Sequence, residues 1–81
     1  MRYFEVDMSN HDHSDTYSMC IKATHFPTKG EVKTFLRKDM ENFGYTKIDR
    51  IVETTLEEAR DSYYMGNEKN FPVLGSSSKG L

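Results

Sequence analysis

Two short runs of alternating residues constrain this chain more than any other feature. From Arg2 to Met8, Phe4, Val6 and Met8 take one parity, and Tyr3, Glu5 and Asp7 take the other. From Thr16 to Phe26 the pattern returns, with Tyr17, Met19, Ile21 and Ala23 on one side and Ser18, Cys20, Lys22 and Thr24 opposite. A strand turns successive side chains to opposite faces, so this period of two marks half-buried β-structure. Between the runs lies Ser9-Asn10-His11-Asp12-His13-Ser14-Asp15, which is polar throughout. Two strands with such a link form an antiparallel hairpin with a long loop.

The period then changes. Thr28-Lys29-Gly30-Glu31 has the form of a capping box, and Val32, Phe35, Leu36, Met40 and Phe43 follow at helical spacing. Gly44 is placed to end the helix in a left-handed turn, so a helix is expected from about 28 to 43. Asp39 falls in the middle of that apolar stripe, where a carboxylate is costly unless paired or wet. A satisfied structural role is expected for it. Tyr45–Thr54 reads as a third strand, but Ile48 and Val52 share a parity that Ile51 opposes. Either both faces are partly covered or the strand carries a bulge. Thr55-Leu56-Glu57-Glu58 is a second capping box, opening a helix with Leu56, Ala59 and Tyr63 on one stripe and an end near Gly66.

The element order is therefore β-β-α-β-α. The expected fold is a small α+β domain, a three-stranded sheet with two helices on one face. Residues 1–75 form the single domain, within which Asn67–Gly75 is ambiguous and Phe71–Leu74 is a candidate edge segment. Residues 76–81 are too poor in apolar side chains to fold and are expected to be disordered.

Composition limits the function. With 81 residues there is room for one thin core, burying about 60% of the surface that the unfolded chain exposes. Apolar residues at 36% and charged residues at 30% suit a soluble globular domain. A net charge of −2 supplies no global field for nucleic acid, so any such binding needs a local patch. Cys20 is the sole cysteine, which rules out an internal disulfide and fits a reducing compartment. No apolar run reaches the roughly 18–20 residues that span a bilayer, and Met1–Met8 lacks the apolar core of a signal peptide. A cytoplasmic location and no membrane partner are expected.

Four places could carry function. His11 and His13 lie two apart, so in an extended segment both imidazoles point the same way and could share a zinc or nickel ion. Such a site needs about four ligands, with Asp7, His25 or a second chain helping. The competing reading is a solvated turn, because Asn, Asp and Ser bond their own backbone. Second, Thr28, Lys29 and Gly30 open a helix whose first N–H groups could hold an anion. Lys29, Lys33 and Arg37 continue from there as one basic stripe. Third, Glu57, Glu58 and Asp61, with Glu53 just before, make the other helix acidic, as helix dipoles favour. Fourth, Tyr63, Tyr64, Met65 and Phe71 cluster near the end of that helix, and either Tyr64 and Met65 reach the surface or the C-terminal segment folds over them.

Catalysis has the least support. Cys20 sits mid-strand without an activating neighbour, and no Ser/His/Asp or Cys/His grouping appears locally. The sequence is therefore read as a non-enzymatic, cofactor-free protein-binding domain, acting as regulator, adaptor or inhibitor of a larger protein. Short phage-encoded inhibitors of host defence are comparable in size, an analogy and not a motif match. The expected contact residues are Lys29, Lys33, Arg37, Glu57, Glu58, Asp61 and Tyr64. The alternatives are nucleic-acid or phosphate binding through the basic stripe with Lys22, and metal binding at His11 and His13. A thin core and an exposed edge strand also make a homodimer an option.

Overall fold

The computed structural model describes residues 1–62 and 71–74. Both alternating runs are strands, β1 (Arg2–Ser9) and β2 (Thr16–Ala23). They pair antiparallel, with Phe4 opposite Ile21 and Val6 opposite Met19. The third strand, β3 (Lys47–Thr54), pairs antiparallel with the other edge of β1, giving the order β2-β1-β3. The β3 pattern resolves as a bulge. Asp7 pairs with Arg50 but Met8 pairs with Ile48, so Asp49 has no partner of its own and Ile48 and Ile51 turn to the same face. Val52 is left exposed.

The helix expected over 28–43 is divided in two, α1 (Lys29–Phe35) and α2 (Arg37–Phe43). Leu36 stands between them at φ −98°, ψ 12°, in the sparsely populated region between helix and strand. The hydrogen-bond ladder still crosses the break, from Leu36 N–H to Val32 O and from Met40 N–H to Leu36 O. The start is as the sequence implies. Thr28 Oγ1 accepts from Glu31 N–H, and the Glu31 carboxylate accepts from Thr28 N–H. Gly44 ends α2 at φ 83°, a conformation in which a side chain would be strained. The break changes which residues reach the core. Val32, Leu36 and Met40 are buried, whereas Asp39 and Phe43 are exposed. Asp39 is therefore wet and has no side-chain partner among the described residues, so water rather than a pairing side chain satisfies it.

The principal core unites Phe4, Val6, Met8, Ile21 and Ala23 with Val32, Leu36, Met40 and Ile48. A second, smaller cluster holds Cys20, Ala59 and Phe71, with Tyr3 and Leu56 packed against it. Tyr3 and Cys20 have the parity opposite to Phe4 and Ile21, so this cluster lies on the other face of the sheet. The helix after β3, α3 (Leu56–Ser62), therefore covers one face while α1 and α2 cover the other. The α+β class and three-stranded sheet stand, but the helices are shared between two faces. The physical reason is the pair Tyr3 and Cys20, which gives the nominally polar face an apolar end that Leu56 and Ala59 can bury. Phe71 completes the cover, because Val73 forms a parallel bridge with Lys22 and extends the β2 edge. Asn67–Asn70 and residues 75–81, with the tail expected at 76–81, fall outside the described residues, as does the helix end expected near Gly66.

The uncovered end of that second face is ionic. Arg50 reaches Asp7 at 3.0 Å and Glu5 at 3.7 Å, and the Ser18 hydroxyl donates to Asp7 at 2.7 Å. Partial burial alone would raise the Asp7 pKa. The hydrogen bonds donated by the Ser18 hydroxyl and the Arg50 guanidinium, with the Arg50 charge, outweigh it, and the carboxyl is held below its usual range.

Three results are expected. Thr28→Ala should lower unfolding stability by about 1 kcal/mol in a denaturant titration, as loss of an N-cap does. Leu36→Ala should cost about 2–5 kcal/mol, because the side chain leaves a cavity in the main core. The Cys20 thiol is buried, and that burial pushes its pKa up to about 11, so at neutral pH it should resist alkylation until the chain unfolds.

Candidate functional site

The SNHDHSD segment builds itself into a turn. His13 N–H donates to Asn10 O, and Asn10 N–H donates to Asp15 O. Asp12 Oδ1 accepts from Ser14 N–H, while Asn10 bonds both the Asp15 N–H and the Ser14 hydroxyl. His13 takes the left-handed conformation, at φ 61°. The bond from Ser14 is the largest influence on Asp12 and lowers its pKa. His13 Nε2 stands 3.7 Å from Asp49 Oδ1, and His11 is exposed. Among the described residues, no group of three or more His, Cys, Asp or Glu side chains is gathered as a metal site would require. The hydrogen bonds account for the segment as a turn.

The start of α1 is likewise occupied from within. Glu31 supplies the carboxylate that an external anion would replace, and it also contacts His25 Nε2 at 3.2 Å. The Thr28 N–H bond, followed by the His25 bond, holds its pKa below the usual carboxylate value.

The basic stripe has a different setting. Lys33 and Arg37 line a groove of about 410 Å³ that runs beside α1 and α2 and is closed on its far side by Tyr45 and Thr46. Neither cation forms an ion pair among the described residues, although Arg2 and Arg50 on the sheet do. Lys29 is exposed one turn earlier. Glu41 lines the same groove, so its charge changes sign along its length.

Tyr45 connects this groove to two apolar hollows. Its ring stacks on Tyr17, with centroids 5.8 Å apart and planes 12° from parallel. Together with Phe43, this pair lines a notch of about 150 Å³. Beside it, Met8, Met19, Leu36 and Pro72 line a hollow of about 230 Å³ that the same three rings share. Phe43 is 71% exposed and Tyr17 is 45% exposed. The Tyr45 hydroxyl donates to Asp15 Oδ2 at 3.2 Å, which ties the ring to the hairpin loop. Desolvation first, then the negative charge of Asp15 and its hydrogen bond, raises the Tyr45 pKa.

The acidic cluster lies elsewhere. Glu57 and Glu58 stand in the first turn of α3, on the sheet face opposite the basic helices. Glu58 N–H donates to Thr55 Oγ1, and the Glu58 carboxylate accepts from Thr54 Oγ1, so only half of the expected capping box is formed. The Asp61 side chain and Tyr64, with Tyr63 and Met65, lie outside the described residues. Lys33 and Arg37 thus share a surface with each other but not with Glu57 and Glu58. Sequence reasoning placed Tyr17 and Phe43 in the core stripes. The residue that unites the surface, Tyr45, was expected to open the third strand, but β3 begins at Lys47 and Tyr45 lies in the link after Gly44.

The chain matches no protein-family model, and comparison with curated proteins and with solved structures finds no match. Membrane spanning by a helix is not an option for the described residues, none of whose helices is long and apolar enough.

Asp15 should be detectable as the group that tunes Tyr45. Because the folded-state pKa is raised, the neutral phenol contributes stability below the unfolded value of about 10, lost as pH rises through the folded value. Asp15→Asn should shift the Tyr45 ionisation to lower pH in an ultraviolet titration, with Tyr45→Phe identifying the signal.

Proposed function

We propose that this domain is a non-catalytic protein-binding module that docks through the surface centred on Tyr45. The observation that carries this reading is the exposure of Phe43 and Tyr17 beside an open apolar hollow. Burying a phenylalanine side chain is worth roughly 1.5–3 kcal/mol, a large sum for a domain whose core is thin. Exposed Phe43 and Tyr17 rings, the latter stacked on Tyr45 and with charged side chains nearby, match the composition of a protein interface better than that of a bare surface. Apolar anchors with a polar rim are how such interfaces concentrate their affinity. Acting on a larger protein as regulator, adaptor or inhibitor follows from this mode. The Cys20 thiol, buried and with its pKa raised, supports the non-enzymatic side of the reading.

A second reading rests on Lys33 and Arg37 in the groove, which form no ion pair among the described residues, with Lys29 exposed one turn earlier. Lys29, Lys33 and Arg37 could hold the phosphates of a nucleic acid, and affinity would then fall steeply with salt.

The test is a photo-crosslinking side chain at position 43, in nuclease-treated extract of the cells that make the protein, with position 57 as control. Crosslinks to a discrete protein from 43 and not from 57 are expected. Phe43→Ala should weaken capture of that protein by about 2 kcal/mol, as truncating an anchor residue does. Folding stability should change by no more than about 0.5 kcal/mol, since the ring is exposed. Equal capture by the variant removes this surface from the interface. Loss of all binding on nuclease treatment selects the second reading.

A further inference from the structure

We infer that the groove beside α1 and α2 receives an acidic, extended peptide segment of the partner, its carboxylates meeting Lys33 and Arg37 and an apolar side chain meeting Tyr45. This rests on the protein-binding reading and specifies the partner's chemistry at one part of that surface.

Three observations converge on it. The first is charge. Lys33 and Arg37 stand one helical turn apart, where like charges repel by a few tenths of a kcal/mol, and neither is paired among the described residues. An acidic segment would relieve that repulsion. The second is Gly30, which lines the same groove. Glycine is a poor helix former, and here it is the second residue of α1. Nothing in the fold requires it, because its φ is not positive and an added Cβ would meet only Thr28 Oγ1, at 3.9 Å. What its missing side chain does provide is open width in the groove beside Lys33. The third is the sign change along the groove. Glu41 lies in it, and Asp39 borders the adjoining hollow. A nucleic-acid strand carries a phosphate at every nucleotide and would bring some of them against these carboxylates. A peptide can concentrate its acids at the Lys33–Arg37 end and present an apolar residue to Tyr45 and Phe43.

The three observations also supply variants that keep the fold. Gly30→Leu fills the groove while replacing a poor helix former with a good one, so stability should hold or rise. Lys33→Glu with Arg37→Glu reverses the charge at exposed positions. The probe is a library of random peptides displayed on phage and selected against the wild-type chain. Enriched peptides are expected to carry clustered acidic residues next to an aromatic or large aliphatic one. Their affinity should fall at least about tenfold, ~1.4 kcal/mol, in Gly30→Leu and in the charge-reversed variant. Selection against the charge-reversed variant should enrich basic peptides instead.

The inference is overturned if no peptide is enriched, if enriched peptides lack acidic residues, or if Gly30→Leu binds them unchanged. It is also overturned if a short single-stranded oligonucleotide competes them off at low salt and loses that ability as salt rises. Failure of the broader reading is separable. In that case the crosslinker at position 43 captures no protein. A partner captured there with equal affinity for wild type, Gly30→Leu and the charge-reversed variant leaves the broader reading standing and removes the acidic peptide alone.

Discussion

The structure depends on β1 being the central strand. Its backbone pairs with β2 on one side and β3 on the other, and its Phe4, Val6 and Met8 form the middle of the main core. The two edge strands are not paired with each other, so the backbone pairing of the sheet runs through these eight residues. The same strand shapes the opposite face. Tyr3 gives α3 an apolar place to rest, while Glu5 and Asp7 hold Arg50. One strand thus carries an apolar face, an apolar end of the second face and an ion-pair cluster, each fixed by the parity of its residues.

The sheet edges are treated differently. The Lys22 end of the β2 edge is covered by residues 71–74, through the bridge to Val73. The outer edge of β3 carries Lys47, Asp49 and Arg50, and the bulge at Asp49 interrupts its regular pairing geometry. Charges and a bulge are what natural edge strands use to discourage pairing with another sheet. The docking surface proposed above is made of side chains around Tyr45 and uses neither of these edges. It also explains why a small domain can leave Phe43 and Tyr17 exposed: the core is complete without them, closed by Leu36, Met40 and Ile48.

Much of the fold was legible in the sequence because it depends on local chemistry. The alternation over Arg2–Met8 gave the face of every residue in β1. Thr28 and Glu31 marked the start of α1, and Gly44 the end of α2, since capping and left-handed turns are satisfied by neighbours in the chain. The break at Leu36 was not legible. No proline or glycine signals it there, and its consequence, the exposure of Asp39 and Phe43, depends on where the sheet lies beneath the helix. The candidate site was legible only in part. Lys33 and Arg37 could be found by spacing, but Tyr17, Phe43 and Tyr45 come from a strand, a helix end and a linker that only folding brings together.

The sequence by itself determined the strands, the hairpin turn, the start of α1, the end of α2 and the absence of an internal disulfide. These follow from side-chain parity, from hydrogen bonds between residues a few positions apart, and from a single cysteine. The tertiary structure alone decided that α3 crosses to the second face, that the basic and acidic helices part company, and that Tyr17 and Phe43 gather around Tyr45. Each of those outcomes turns on which surfaces bury one another across the chain. That is settled by packing among residues far apart in sequence and leaves no fixed spacing to read.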